Sequence, residues 1–230
     1  MSFMSTIGIL LDRPPICLPS SAGTLEGFRA WATSDAVPEN ARVSFINEGI
    51  IIDTSPEELE THNKVKSEIS SVISTLNRDL NLGTFYASGT LLSCPIAGLF
   101  TEPDALLVTW DSFQAGRVRP VQRKDRPDEH LELEGTPDWV LEVVSRSSVK
   151  KDTQLLREAY HAAGIPEYWV INAFGPEIDF QILLRQSGGY VPAPARDGWS
   201  RSPLFSRDVC LTRQRGRLGY WQYTLDVRPG

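Results

Sequence analysis

Apolar residues recur at helical spacing at Val65, Ile69, Val72, Ile73, Leu76 and Leu80 within "SPEELETHNKVKSEISSVISTLNRDL", which predicts an amphipathic helix. Ser55 is a fitting N-cap for it and Pro56 fits the first helical position. A second helix is predicted from about Ser148 to Ala163, stopped by Gly164 with Pro166 just beyond. Short apolar runs predict strands in "GTFYASGTLLSC", "DALLVTW", "DWVLEVVS" and "EYWVIN". "RVSFINEGIIID" reads as two strands turning at Asn47-Glu48-Gly49, or as one bent strand, and "IDFQILLRQSGGYVPA" reads as a hairpin around Ser187-Gly188-Gly189. The polar stretch from Asp111 to Glu129 reads as a loop or flap, and the tail gives a weak pattern of short strands. Residues 1–40, rich in Pro, Ser and Gly, read as a loosely packed N-terminal extension with a short helix near Leu25 to Thr33, and residues 41–230 as a single domain. Strand, helix and strand alternate in its middle, which predicts an α/β (α+β) fold with a mixed sheet.

Composition adds bounds. About two-fifths of the residues are apolar, enough for a substantial core. Cys17, Cys94 and Cys210 are odd in number and form no C-x-x-C pair, so neither a disulfide framework nor a zinc site is indicated and a reducing cytoplasm is expected. The apolar run Ile7 to Leu11 has no basic residue ahead of it and no stretch is long enough to span a bilayer, so neither a signal peptide nor membrane association is expected. The net charge of −6 resides wholly in the first 60 residues, where three basic residues face nine acidic ones. Basic residues cluster later, at Arg117, Arg119, Arg123, Lys124 and Arg126 and at Arg207, Arg213, Arg215 and Arg217. Either cluster could meet phosphates or be a solvated surface.

One carboxylate stands out. Glu142 lies within the apolar strand "DWVLEVVS", on the same face as Val140 and Val144, where an ionised side chain is costly unless it is paired or holds a cation. Asp104, after Pro103, stands at the mouth of the strand "DALLVTW". Two carboxylates on neighbouring strands could share a hard divalent cation such as Mg²⁺. A buried salt bridge to Lys151 or an arginine is the structural alternative for Glu142.

"EPD" before an apolar strand, "PDWVLEVVS", a helix carrying "KKD" and "AGIPEYWVIN" together resemble the Uma-type restriction endonuclease family, a branch of the PD-(D/E)XK nuclease superfamily. The resemblance covers roughly residues 42 to 228 and is tightest over Thr136 to Asn172. It implies a restriction-endonuclease-like mixed central sheet flanked by helices, with added β-hairpins. It also implies a metal-dependent endonuclease that hydrolyses DNA phosphodiester bonds using Mg²⁺ or Mn²⁺. Asp104 and Glu142 then become metal ligands, with the backbone carbonyl of Val143 completing the set. DNA is the implied partner, and a homodimer is compatible.

The chain departs from the family at its lysine. The superfamily position two residues beyond the acidic ligand is Val144, and the alternative position on the following helix, four beyond Asp152, is Leu156. On a regular helix Asp152 faces the sheet, while Lys151 lies roughly 110° from the centre of the apolar stripe, closer than Arg157 or Lys150. Lys151 is thus the expected catalytic substitute, with Arg157 second; solvated lysines near a helix N-terminus are the alternative reading of Lys150 and Lys151. His62 lies on the apolar stripe of the first predicted helix, with Glu58 one turn back, and resembles a family histidine that approaches the metal or a phosphate. A hydrogen-bonded core histidine is its alternative reading. With the lysine absent, a second function remains open: a nuclease-fold module that binds nucleic acid or a protein partner without efficient cleavage.

Overall fold

The computed structural model describes residues 16–38, 40–122 and 127–230, so Arg123, Lys124 and Arg126 of the first basic cluster lie outside the described residues. The chain forms α1 (Leu25–Ala32), the hairpin β1 (Arg42–Ile46) and β2 (Gly49–Asp53), and the long helix α2 (Lys64–Leu80). Strands β3 (Gly83–Ala87), β4 (Leu91–Cys94), β5 (Leu99–Thr101) and β6 (Ala105–Thr109) follow. After the short α3 (Trp110–Gln114) come β7 (Val118–Gln122), β8 (His130–Gly135) and β9 (Trp139–Val143). The helix α4 (Leu156–Ala162) leads to β10 (Glu167–Asn172), β11 (Asp179–Gln186) and β12 (Gly189–Pro192). The last strands are β13 (Ala195–Arg196), β14 (Trp199–Ser202), β15 (Arg207–Arg215) and β16 (Trp221–Pro229).

The central sheet has the order β12-β11-β10-β9-β6-β3 and is mixed, with β9 and β10 parallel and the other pairs antiparallel. A second six-stranded sheet, β2-β1-β5-β4-β8-β7, and a four-stranded antiparallel sheet, β13-β14-β15-β16, accompany it. The single sheet expected from the strand order is therefore joined by two more. The β7–β8 pairing converts the polar stretch after Asp111 from the expected loop into a short helix and a hairpin, because Val118 and Leu133 bury their side chains there.

The alternation of β9 sorts its residues between two cores. Trp139, Leu141 and Val143 pack with Val65, Ile69 and Ile73 of α2 and with Val209, Leu211, Tyr223 and Leu225 of the third sheet. Val140 and Val144 pack with Leu156, Ala159 and Tyr160 of α4 and with Leu92, Leu99 and Leu133 of the second sheet. A third core forms where Phe28 and Trp31 of α1 meet Val43, Phe45 and Phe100. Thr24 caps α1 by accepting the amide of Gly27. The β1–β2 turn uses Asn47 and Glu48 at φ 50° and 62°, the left-handed pair that a tight hairpin turn requires. Gly83 is obligatory at the start of β3, since a Cβ would stand 2.0 Å from the carbonyl oxygen of Val108.

Candidate active site

The site forms where β6 begins and β9 ends. Ala105 pairs with Leu141 across the β6–β9 ladder, so one step further in register Asp104 comes opposite Glu142. The Asp104 amide donates to the Leu141 carbonyl at 3.1 Å, and Oδ2 of Asp104 accepts the Val143 amide at 2.7 Å. These bonds pin the Asp104 carboxylate over the last turn of the ladder. Both carboxylates are buried and line a narrow cleft together with Arg42, Asp53, His62, Glu102, Val143, Ser148, Lys151 and Asp152.

Two π turns aim the helical side chains into this cleft. The first, Leu59–Asn63, precedes α2 and carries His62; the second, Lys151–Leu155, precedes α4 and carries Lys151 and Asp152. A π turn spreads its residues over a wider arc than an α turn, and such turns recur at functional sites. The α2 end therefore differs from expectation. Ser55 and Pro56 lie in irregular chain ahead of the helix, and the cap is Glu58, whose carboxylate accepts the amides of Glu60 at 2.9 Å and Thr61 at 2.5 Å. A two-oxygen carboxylate satisfies two open amides and favours the positive end of the helix dipole.

His62 is buried, with Nε2 3.6 Å from Oδ2 of Asp104 and Nδ1 3.9 Å from Oε2 of Glu57. Burial, only partly offset by Asp104, lowers its pKa. Its Nδ1 has no hydrogen-bond partner. A neutral imidazole with an unpartnered buried nitrogen is suited to ligation. Donor atoms of Glu57, His62 and Asp104 all lie within 4.8 Å of one another, the one such cluster among the described residues. The residues thus fit a divalent cation, with an oxygen-rich donor set of the kind that hard cations prefer.

Glu142 accepts the Tyr160 hydroxyl at 2.6 Å. Burial raises its pKa well above the carboxylate range; Lys151 opposes this, while Asp152 and Asp104 add to it. Asp152 accepts the Ser148 hydroxyl, and burial pushes its carboxyl up to about 6. Burial alone would lower the Lys151 amine, but Glu142, Asp152 and Asp104 together hold it above its usual range. Its Nζ lies 3.4 Å from Oδ1 of Asp152.

The structure brings Asp104, Glu142, Val143, Lys151 and His62 into one cleft. Arg157 turns elsewhere and donates to the Tyr190 carbonyl at 3.1 Å, and Lys150 is exposed. Val144 and Leu156, at the two family lysine positions, are fully buried in apolar surroundings. Glu57 and Lys66 escaped the sequence reading. Lys66 donates to Oε1 of Glu57 at 2.5 Å and lies 3.7 Å from Oδ1 of Asp104. Its position four residues after His62, on one helix face, was the available signal. Arg42 also pairs with Glu57, at 3.1 Å. Glu57 lies in irregular chain ahead of the helix and left no periodic trace.

The family model described as "Uma2: Putative restriction endonuclease" matches residues 25–214. A crystal structure of "a putative nuclease belonging to DUF820" from Anabaena variabilis ATCC 29413 is similar with a TM-score of 0.55 and 18% identity, over 79% of this chain and 90% of that one. At that identity the likeness concerns the fold. No curated protein matches.

Proposed function

Because this chain belongs to the Uma2 restriction endonuclease family, we propose that it is a metal-dependent endonuclease that hydrolyses DNA phosphodiester bonds in the cleft between β6 and β9. The observation that carries the reading is the convergence of Asp104, Glu142 and His62 with Lys151 in one buried cleft. Asp104 and Glu142, with the carbonyl of Val143, would hold Mg²⁺ or Mn²⁺; the donor atoms that converge within 4.8 Å are those of Asp104, Glu57 and His62, so Glu57 and His62 would extend the set on the Asp104 side and Glu142 would join it from across the cleft. When bound, the ion lowers the pKa of water and stabilises charge building on the phosphoryl oxygen.

The protein's own groups have separable tasks. The Val143 amide and the Tyr160 hydroxyl orient the Asp104 and Glu142 carboxylates, so the ligands need not reorganise on binding. Lys151, kept protonated by its acidic neighbours, steadies the attacking water or the developing charge. Neutral His62 offers a ring nitrogen to the ion or a proton acceptor to the water.

Buried Val144 and Leu156 favour a second reading, a nuclease-fold module that holds nucleic acid without cutting it. Incubation of purified protein with supercoiled plasmid in Mg²⁺, Mn²⁺ or EDTA separates the two. The nuclease reading predicts nicked and linear products with either metal and none in EDTA. A gel shift with no cleavage under any condition supports the binding module instead.

A further inference from the structure

The cleft is a poor place to hold a polyanion by itself. Asp53, Glu102, Asp104, Glu142 and Asp152 outnumber the cationic side chains Arg42 and Lys151 along its lining. A phosphate backbone therefore needs a basic grip beside it. The second basic cluster supplies one at the tip of the β15–β16 hairpin.

Arg213 and Arg215 lie over the Trp221 ring at 4.3 and 3.6 Å from its centroid. Arg217 follows in the exposed turn, and Leu218 and Tyr220 stand 83% and 59% exposed beside it. Arg29, Arg42, Arg117 and Arg119 are each held by a carboxylate. Arg213, Arg215 and Arg217, by contrast, have no carboxylate within ion-pair distance among the described residues, and Arg213 and Arg215 bond backbone carbonyls instead. The turn is ordered by the Gly216 amide on the Tyr220 carbonyl at 2.8 Å.

The root of this tip is fixed to the helix start that carries His62. The Trp221 amide donates to Oε2 of Glu60 at 2.6 Å, and Lys64 donates to the Trp221 carbonyl at 2.9 Å. Glu60 and Lys64 flank His62, so the hairpin and the cleft share one short segment as their anchor. The family match ends at residue 214, just before the turn.

We propose that the β15–β16 tip is a duplex-DNA clamp, in which Arg215 and Arg217 contact phosphates flanking the one held in the cleft and exposed Tyr220 packs against the sugar-phosphate edge. The clamp rests on the nuclease reading for its geometry, while its charge makes a prediction independent of cleavage. Exposed, unpaired guanidinium groups on a pre-ordered turn release counterions on binding with little ordering cost.

The test is fluorescence anisotropy with a 20-base-pair DNA duplex, with Ca²⁺ in place of Mg²⁺, across a salt series. The Arg215→Ala/Arg217→Ala double variant should bind about ten-fold or more weakly at ~0.1 M salt, and its log K against log [salt] slope should flatten by about two. Arg215→Lys/Arg217→Lys should restore the slope, and Arg196→Ala, on exposed β13 of the same sheet, should match wild type. In plasmid cleavage the double alanine variant should raise KM and leave kcat unchanged. Wild-type affinity and slope in the double alanine variant overturn the clamp, as do absence of duplex binding by wild type and a loss confined to RNA. Loss of binding by the variant in a protein that cuts no plasmid sustains the clamp and removes the nuclease reading. Cleavage with an unchanged slope does the reverse.

Discussion

Burial, more than any pairwise contact, sets the chemistry of the individual side chains. Glu142 and Asp152 are both shifted upward by removal from water, and only Lys151 and their hydroxyl partners offset that cost. A carboxyl that binds its proton more tightly in the folded chain than in the unfolded one stabilises the fold at low pH and loses that contribution as pH rises. For Asp152 the rise from 3.8 to about 6 corresponds to about 3 kcal/mol, lost between pH ~4 and ~6.5. Urea melts in EDTA should therefore show wild type losing about 3 kcal/mol relative to Asp152→Asn across that range; a pH-independent difference contradicts the assignment. Lys151, which lines the cleft, and Lys66, which reaches Asp104 from beside it, are separable in the same spirit. Lys151→Met should lower kcat by about 10²-fold at saturating metal. Lys66→Met, which removes the ammonium that competes for Glu57 and Asp104, should lower the metal concentration required and change kcat by less than about ten-fold. The opposite pattern would make Lys66 the working amine.

At the scale of elements, the two helix starts decide what the cleft contains. The acidic pair could be singled out in the sequence because Glu142 interrupts an apolar run and Asp104 stands after a proline at the mouth of another, and the structure brings both to one cleft. The Uma-type resemblance, carried by the residues around them, is borne out by the family match. The mixed central sheet followed from the order of strands and helices. The π turns were not legible, since hydropathy periodicity carries no mark of one extra residue in a turn. On a regular helix Lys151 falls toward the flank; in the π turn it lines the cleft with Asp152. The Glu58 cap was equally hidden behind the better sequence signal of Ser55 and Pro56. The β7 hairpin was masked by its arginines, whose polarity outweighed the single apolar contact of Val118. Glu58→Ala tests the capping role: it should cost about 1 kcal/mol in stability. By loosening the turn that holds His62, it should also weaken Mn²⁺ binding in calorimetric titration. Unchanged Mn²⁺ affinity would show that the turn is held by other contacts.

Across the whole molecule, the central sheet lies between two apolar cores, and its carboxylates emerge where strand ends from that sheet meet both helices. No helix among the described residues is long and apolar enough to cross a membrane. We infer that α1 is an integral part of the domain, since Phe28 is fully buried against Trp31, Phe45 and Phe100. Phe28→Ala should cost about 3–5 kcal/mol in a denaturant melt, whereas a loosely attached segment would cost under about 1 kcal/mol. The integrity of that scaffold matters because the account assigns one task to the cleft it frames. Plasmid cleavage in Mg²⁺ by wild type, Asp104→Ala and Glu142→Ala, each checked for wild-type-like folding, tests that assignment most directly. The account predicts cutting by wild type and a loss of about 10³-fold or more in both variants. Equal cutting by all three would contradict it.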